Sequence, residues 1–153
     1  MNKLKLLVYS TLLVFCTTIG TPAISRPKIQ AFHKTDLNCL AHNIYHEARG
    51  EPIEGQIAVA LVTTNRVLSG LFGNTVCAVV YAKQQFSWTD DPTKTIVDAK
   101  AFKAAKEIAA GVLSQTIHLP DFTALYFHNK TVRPQWRKNK LLVAQIGNHV
   151  FYK

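Results

Sequence analysis

The chain has 153 residues and a formal net charge of +9, from 18 basic and 9 acidic residues. A length of this order is enough for one domain with one core and hardly more. A basic chain favours an acidic partner, such as a cell wall polymer, an anionic lipid surface or a nucleic acid, and charge alone does not choose among them.

The first 23 residues have the pattern of a secretory signal peptide. A basic start, MNKLK, precedes an apolar run, LLVYSTLLVFCTTIG, and a small-residue exit near Ala23. This run is short for a helix that must cross roughly 30 Å of hydrocarbon. A lipoprotein would need a small residue before Cys16, where Phe15 stands. We predict residues 1–23 to be a signal peptide, with export to the periplasm, the cell envelope or the extracellular space.

Without that segment, two cysteines remain, Cys39 and Cys77, together with 16 basic and 9 acidic residues. An even pair in an exported chain predicts a disulfide, worth about 4 kcal/mol on the loop-entropy model. Two buried free thiols are the alternative. The sequence has no CxxC motif, so a redox or zinc-knuckle role has no support.

Residues 24–35 show no clear period and are predicted to be a linker, which leaves residues 36–153 as one folded domain. Asp36 has the character of an N-cap, and the apolar spacing after it predicts a helix that ends near Gly50. We expect the turn after this helix to depend on that glycine.

A second helix is predicted to start with Glu51 as N-cap and Pro52 at its first position. Residues 57–62 are apolar on every side, which predicts a helix that is buried all round. The stretch NTVCAVVYAKQQFSW fits a short helix or a strand. A third helix is predicted from Asp98 to about Leu113.

The tail is aromatic and β-branched, in TALYFHN and VAQIGNHVFY, and Gly147 with Asn148 resembles a hairpin turn between short extended runs. The predicted fold class is therefore α+β, mainly α, with a buried central helix and a small antiparallel β element.

Glu47 is the acid whose position on the first helix is most informative. At about 100° per residue it lies on the flank of the apolar stripe, where partial burial raises the pKa of a carboxyl group. A carboxyl that stays protonated near neutral pH can act as a general acid. A solvated residue at the edge of the stripe is the alternative.

His42 and His46 are one turn apart on the predicted outer face and could bind zinc as in HExxH, with His128 or His149 as further ligands. Gly50 stands where that motif needs its second histidine, so we expect surface or hydrogen-bonding roles and no metal. At the helix junction, Arg49 is expected to pair with a carboxylate.

Two clusters combine aromatic and amide side chains, a mixture that binds sugars, although single aromatic residues also belong to cores. The clusters are Tyr81, Gln84, Gln85, Phe86, Ser87 and Trp88, and then Tyr126, Phe127, His128, Asn129 and Trp136.

These residues carry a family resemblance. The motifs NIYHEARGEPIEGQIAVALVTTNRV, NTVCAVVY, QFSW, ALYFHN and IGNHVFY, in this order across residues 36–153, resemble the SleB-type cell wall hydrolases, which include spore cortex-lytic enzymes. The resemblance implies a lysozyme-like catalytic domain that cleaves peptidoglycan between N-acetylmuramic acid and N-acetylglucosamine, typically as a lytic transglycosylase that leaves a 1,6-anhydro end.

The resemblance also implies roles for individual residues. Glu47 matches the family's catalytic acid, Gln85 to Ser87 match a segment on the far wall of the groove, and Tyr126 to Asn129 lie near it. The family usually has glycine where this chain has Gln84, which puts the conformation of that turn in question.

A lytic mechanism needs one carboxylate and no cofactor, and no second acid is an obvious partner for Glu47. The alternatives are a zinc-dependent wall amidase or peptidase and a non-catalytic peptidoglycan-binding protein. We expect a monomer that binds peptidoglycan glycan strands, with activation by an accessory envelope protein left open. A nucleic-acid partner is not predicted, because no basic helix or aromatic RNA-binding motif is present.

Overall fold

The computed structural model describes residues 33–153. The predicted signal peptide and most of the predicted linker lie outside the described residues. Within the described part, no helix has the length and apolar character of a membrane span. This part contains the helices α1 (Lys34–Ala48), α2 (Ile53–Ser69), α3 (Val76–Val80) and α4 (Ala99–Leu113), two 3-10 helices (Ser87–Asp90 and Gln135–Asn139), and the strands β1 (Tyr126–Asn129), β2 (Leu142–Ile146) and β3 (His149–Tyr152).

Helix α2 is the centre of the fold, as its apolar sequence predicts. Helices α1, α3 and α4 all pack against it, and strands β1 and β2 contact it as well. Val59 and Val62 are fully buried, and Asn43 of α1 donates a buried hydrogen bond (3.0 Å) to the Thr63 hydroxyl of α2. The predicted buried central helix is confirmed.

Helix α1 begins earlier than the sequence suggested. Its N-cap is His33, so Lys34 and Thr35 are helical and the prediction of Asp36 as N-cap was wrong. The Asp36 carboxylate instead accepts hydrogen bonds from the backbone N–H of His33 (3.1 Å) and of Cys77 (3.3 Å). It therefore caps the helix from inside its first turn and ties α1 to α3.

The disulfide between Cys39 and Cys77 is present, with a Cα–Cα distance of 5.2 Å, and it links α1 to α3. The residues around it settle the ambiguous stretch of sequence. Val76–Val80 forms a short helix because the Thr75 hydroxyl accepts a bond from the N–H of Ala78 (3.1 Å). Helix α4 matches its prediction, and Asp98 caps it.

The three strands form an antiparallel sheet in the order β1-β3-β2, with a tight turn at Gly147 and Asn148 between β2 and β3. The mainly helical α+β class is thereby confirmed. The chain before β1 is held to α2 by the Asn65 amide, which donates to the carbonyl oxygens of Phe122 and Ala124 (both 3.1 Å). Ala48 at the end of α1 belongs to the same core cluster as Phe151 of β3, which places the sheet beside the C-terminal end of α1.

Candidate active site

A cavity of about 570 Å³ lies between the end of α1, helix α2, the segment after α3 and the sheet. It is lined by Glu47 and by every substrate-binding residue that the family resemblance implied, whereas Tyr81 and Trp88 of the first aromatic and amide cluster do not line it. Its lining also includes residues that the sequence did not single out as site residues. The complete lining is Glu47, Arg66, Gln84, Gln85, Phe86, Ser87, Tyr126, Phe127, His128, Asn129, Val132, Trp136 and His149.

Glu47 is in the last turn of α1 and is half-buried at the cavity wall. Burial raises the pKa of its carboxyl group from 4.5 to about 7, and the positive charge of Arg66 acts in the opposite direction. The expected rise of this pKa is therefore confirmed, whereas the catalytic role of Glu47 stays a prediction. A carboxyl group with this pKa is substantially protonated at neutral pH and can donate a proton.

Arg66 is the charged residue that sequence reasoning missed. It lies on α2 with only 4% of the residue exposed, and its Nε donates to the carbonyl oxygen of Leu125 at 2.7 Å. Burial lowers the pKa of Arg66 to about 10, so the guanidinium remains charged at neutral pH. An arginine within an otherwise buried helix was the available clue, since such charges are rarely buried without a role.

The segment after α3 forms one wall of the cavity. Phe86 is buried and faces the guanidinium of Arg66 at 5.7 Å from the ring centroid, whereas Gln85 is half-buried and Ser87 is exposed. Gln84 has a φ of +60°, a conformation that favours glycine. The turn thus keeps a left-handed backbone even though this chain carries glutamine at that position.

The sheet and the segment after β1 form the opposite wall, which is largely aromatic. The ring of His128 stacks on Tyr152 with centroids 5.5 Å apart, and Trp136 lies 5.7 Å from Tyr126. Asn129 is exposed at the end of β1, where its side-chain oxygen accepts from the N–H of Thr131 (3.0 Å). Such a surface suits sugar rings, because aromatic faces pack on C–H groups and amides bind hydroxyls.

His149 lines the cavity, although the sequence identified it only as a candidate metal ligand. It is 5% exposed, its ring lies 5.1 Å from that of Phe127, and its buried Nδ1 has no hydrogen-bond partner among residues 33–153. Burial lowers the pKa of this imidazole, with Glu51 opposing that shift. A neutral ring at the cavity wall is thus expected at neutral pH.

His42 and His46 do not lie on an open outer face, and that expectation was wrong. His46 stacks on Trp88 with a centroid distance of 4.4 Å, and His42 contacts Phe102 at 4.9 Å. The 3-10 helix at Ser87–Asp90 and helix α4 cover this side of α1, which makes both histidines half-buried. Among residues 33–153, no group of three histidine, cysteine or acidic side chains could hold a metal ion.

Two predictions at the helix junction need correction. Arg49 does not pair with a carboxylate: its Nη1 donates to the Tyr45 carbonyl (3.4 Å) and its guanidinium lies 4.8 Å from the Tyr45 ring centroid. Glu51 does not cap α2, whose N-cap is Pro52. The backbone turns between α1 and α2, where the N–H of Glu51 donates to the carbonyl oxygen of Ala48 (2.9 Å), and the Glu51 side chain reaches the hairpin.

Glu51 instead binds the turn between β2 and β3. Its Oε2 accepts from the N–H of Asn148 (2.8 Å) and its Oε1 accepts from the Asn148 amide (3.1 Å). Gly147 has a φ of +57°, and a Cβ there would clash with the Glu51 carboxylate. Glu51 therefore holds the sheet against the junction that carries Glu47.

Comparison with known proteins places the chain in a family. Residues 50–152 match the family model for cell wall hydrolases, a range that begins just after Glu47. The chain belongs to the cell wall hydrolase family. This membership agrees with the resemblance of the sequence motifs, and the lysozyme-like fold expected for the domain is confirmed by the structural relatives described next.

Relatives of this cell wall hydrolase are spore cortex-lytic enzymes. The enzyme of Oceanobacillus iheyensis is 34% identical over 139 residues, which are 89% of this chain and 47% of that protein. The enzyme of Bacillus subtilis is 33% identical over 123 residues, which are 78% of this chain and 38% of that protein. The chain thus spans less than half the length of these relatives.

Solved structures match as well. The catalytic domain of the germination-specific lytic transglycosylase SleB from Bacillus anthracis is 32% identical, with a TM-score of 0.64 over 81% of this chain and 98% of that one. The catalytic domain of the Bacillus cereus SleB protein gives the same identity and TM-score, over 80% and 92% of the two chains. The described fold corresponds to almost the whole of these catalytic domains.

Proposed function

We propose that this protein cleaves the glycan strand of peptidoglycan between N-acetylmuramic acid and N-acetylglucosamine as a lytic transglycosylase, with Glu47 as its single catalytic acid. One observation carries the proposal. Among the described residues, Glu47 is the only carboxylic acid that lines the cavity, and its pKa is about 7.

The reaction needs one proton donor that becomes a base. Protonated Glu47 gives its proton to the glycosidic oxygen as the bond to C1 of muramic acid breaks. The resulting carboxylate then accepts the proton of the C6 hydroxyl of the same sugar while that oxygen bonds to C1, which forms the 1,6-anhydro ring. Glu47 is protonated again at the end, so no water is consumed and no second acid is required.

A glycosidase with two carboxylates needs a second one about 5 to 9 Å from the first. The cavity lining offers none in the described part of the chain, which favours the lytic route over hydrolysis. Arg66 supports the second half of the reaction, because its positive charge favours the carboxylate form of Glu47. Its pull is weaker than the effect of burial, so the resting acid stays protonated.

The names of relatives point to the same substrate. SleB of Bacillus anthracis is described as a lytic transglycosylase and the curated relatives as spore cortex-lytic enzymes. We propose peptidoglycan cleavage for this chain and do not propose a role in germination. We also propose that the chain is exported. Its N-terminal sequence has the pattern of a signal peptide, and a disulfide is typical of an oxidising compartment.

The test is to incubate the purified protein with peptidoglycan sacculi and to identify the soluble fragments by mass spectrometry, with Glu47→Gln alongside. Anhydromuropeptides from the wild type alone are the expected result. Fragments with reducing ends would show that the protein hydrolyses the bond and would reject the lytic mechanism. If neither protein releases fragments although both bind sacculi, the non-catalytic binding alternative replaces the enzyme.

A further inference from the structure

The positive charge of the described fold is concentrated in its C-terminal part. Residues 33–121 contain 8 basic and 9 acidic residues, whereas residues 122–153 contain no acid. The six basic residues of this second part are Lys130, Arg133, Arg137, Lys138, Lys140 and Lys153. The sheet and its connecting segment are therefore strongly basic, whereas the part of the fold before them is nearly neutral.

Five of these charges lie in the segment between β1 and β2, which we call the basic rim: Lys130, Arg133, Arg137, Lys138 and Lys140. The rim borders the cavity, because Asn129, Val132 and Trp136 of the same stretch line it. Lys140 also reaches the groove wall, with its Nζ 3.9 Å from the ring centroid of Tyr126.

In the part of the chain that the structure describes, no rim charge forms an ion pair with a carboxylate, although Lys130 is near enough to Glu51 to lower the pKa of that carboxyl group. Within the described range, the only ion pair is Lys103–Glu107 on α4. Lys130, Arg133 and Lys138 are exposed, and Arg137 and Lys140 are half-buried. Five unpaired cations in eleven residues repel one another, so they create a local positive potential that an anionic ligand would relieve.

We propose that the basic rim binds the free carboxylates of the stem peptides that peptidoglycan carries on muramic acid, so that the protein prefers peptide-bearing strands. This inference rests on the proposed function. The stem peptide is attached to the same sugar whose bond is cleaved, so it must leave the groove near its edge. A rim of cations there is complementary to it in charge and position.

The variants change the rim without touching the cavity. Lys130→Gln, Arg133→Gln and Lys138→Gln are combined, which leaves Lys140 on the Tyr126 ring and Trp136 in place. The matched control combines three substitutions that remove the same charge from exposed lysines outside the cavity lining: Lys34→Gln, Lys94→Gln and Lys100→Gln. Both sets are made in a Glu47→Gln background, so that binding is measured without turnover.

Binding is measured by cosedimentation with three substrates at low and high salt. The substrates are intact sacculi, sacculi stripped of covalently attached anionic polymers, and glycan strands freed of peptides by an amidase. We expect the rim variant to bind both kinds of sacculi roughly tenfold more weakly, since each exposed charge pair is worth less than about fivefold. The difference should disappear on peptide-free strands and shrink near 1 M salt.

Four outcomes would overturn the inference, of which three are equal binding of the rim variant to sacculi, an equal loss in the control variant, and a loss that vanishes once the anionic polymers are stripped. The last would assign the rim to those polymers instead of the stem peptides. A loss that persists on peptide-free strands would point to sugar contacts or a damaged fold and would also reject it. Because binding needs no catalysis, these results stand apart from a failure to release fragments.

Discussion

Glu47 and Glu51 are four residues apart at one helix junction, yet their carboxyl groups are shifted in opposite directions. Burial dominates at Glu47, where it raises the pKa to about 7. At Glu51 burial also acts to raise the pKa, but the hydrogen bonds from the backbone and side chain of Asn148, with the charges of His149 and Lys130, lower it overall.

The difference shows that the two glutamates of this junction have different roles. Glu47 faces the cavity and no hydrogen bond within the described residues stabilises its charged form, so it keeps a proton to give. Glu51 faces the hairpin and is held as a carboxylate by donors, so it serves as an anchor. Both side chains share one sequence motif, and their surroundings alone separate an acid from a structural anion.

The largest expected effect is on turnover. Glu47→Gln should lower the rate of fragment release by about 10²- to 10⁴-fold, because an amide cannot donate the proton that the leaving oxygen needs. Glu51→Gln should stay within about tenfold of the wild type, measured by release of soluble muropeptides. A larger loss in Glu51→Gln than in Glu47→Gln would reverse the assignment of the two residues.

The pH dependence of the wild type gives a second test. Only protonated Glu47 can start the reaction, so kcat/KM should fall above pH 7 by about tenfold for each pH unit. Glu51→Gln should leave this alkaline limb in place. A limb that begins near pH 5 would mean that the carboxyl group has an ordinary pKa and that burial does not protect its proton.

Stability should respond to Glu47 as well. Between pH 4.5 and about 7 the folded protein holds a proton on Glu47 that the unfolded chain releases, so this group makes the protein less stable as pH rises through that range. Glu47→Gln does not ionise and should exceed the wild type by on the order of 3 kcal/mol above pH 7 and by little below pH 4.5.

Urea unfolding at pH 4 and pH 8 measures that difference. Glu51→Gln is the control of opposite sign, because the lowered pKa of Glu51 contributes stability above pH 4.5 that is lost as pH falls through its folded-state value. If both variants change stability in the same direction between the two pH values, the contrast between the carboxyl groups is wrong.

The contact between Glu51 and the turn at Gly147 and Asn148 predicts a smaller effect on stability. Gly147→Ala should destabilise the protein by about 1 to 3 kcal/mol, because the φ of +57° disfavours alanine and the added Cβ would clash with the Glu51 carboxylate. In a Glu51→Ala background the clash with the carboxylate is removed, so the cost should fall to the backbone cost of about 1 kcal/mol together with that of the close contact between the new Cβ and Pro52 Cδ (2.9 Å). Equal costs in both backgrounds would show that the hairpin does not depend on this contact.

Most of the fold could be predicted because its patterns are local. The apolar centre of α2, the spacing of α4, the paired cysteines and the Gly147 turn each act over a few residues or through composition. The start of α1 could not be placed from the sequence, because the Asp36 carboxylate binds the backbone N–H groups of both His33 and Cys77. Only the folded chain brings the N–H of Cys77 close to Asp36.

The site was predictable where a residue's own helix fixes its direction, as for Glu47. It was not predictable where a distant segment decides. Arg66 depends on the carbonyl of Leu125, and His42 and His46 depend on Trp88 and α4 covering them. Such contacts join segments far apart in sequence, and a single sequence without an alignment does not reveal them.

Gly50 lies between the two glutamates and gives the smallest expected effect. The sequence suggested that the turn depends on it, but its φ is outside the left-handed region and an added Cβ would meet no atom within 4 Å. Gly50→Ala should therefore change stability by less than about 1 kcal/mol, in the stabilising direction, since alanine restricts the unfolded chain. Thermal unfolding and muropeptide release, with Gly147→Ala as the intolerant counterpart, measure this. A loss of activity at unchanged stability would mean that turnover requires the junction between Glu47 and Glu51 to move. The two residues would then not be positioned independently.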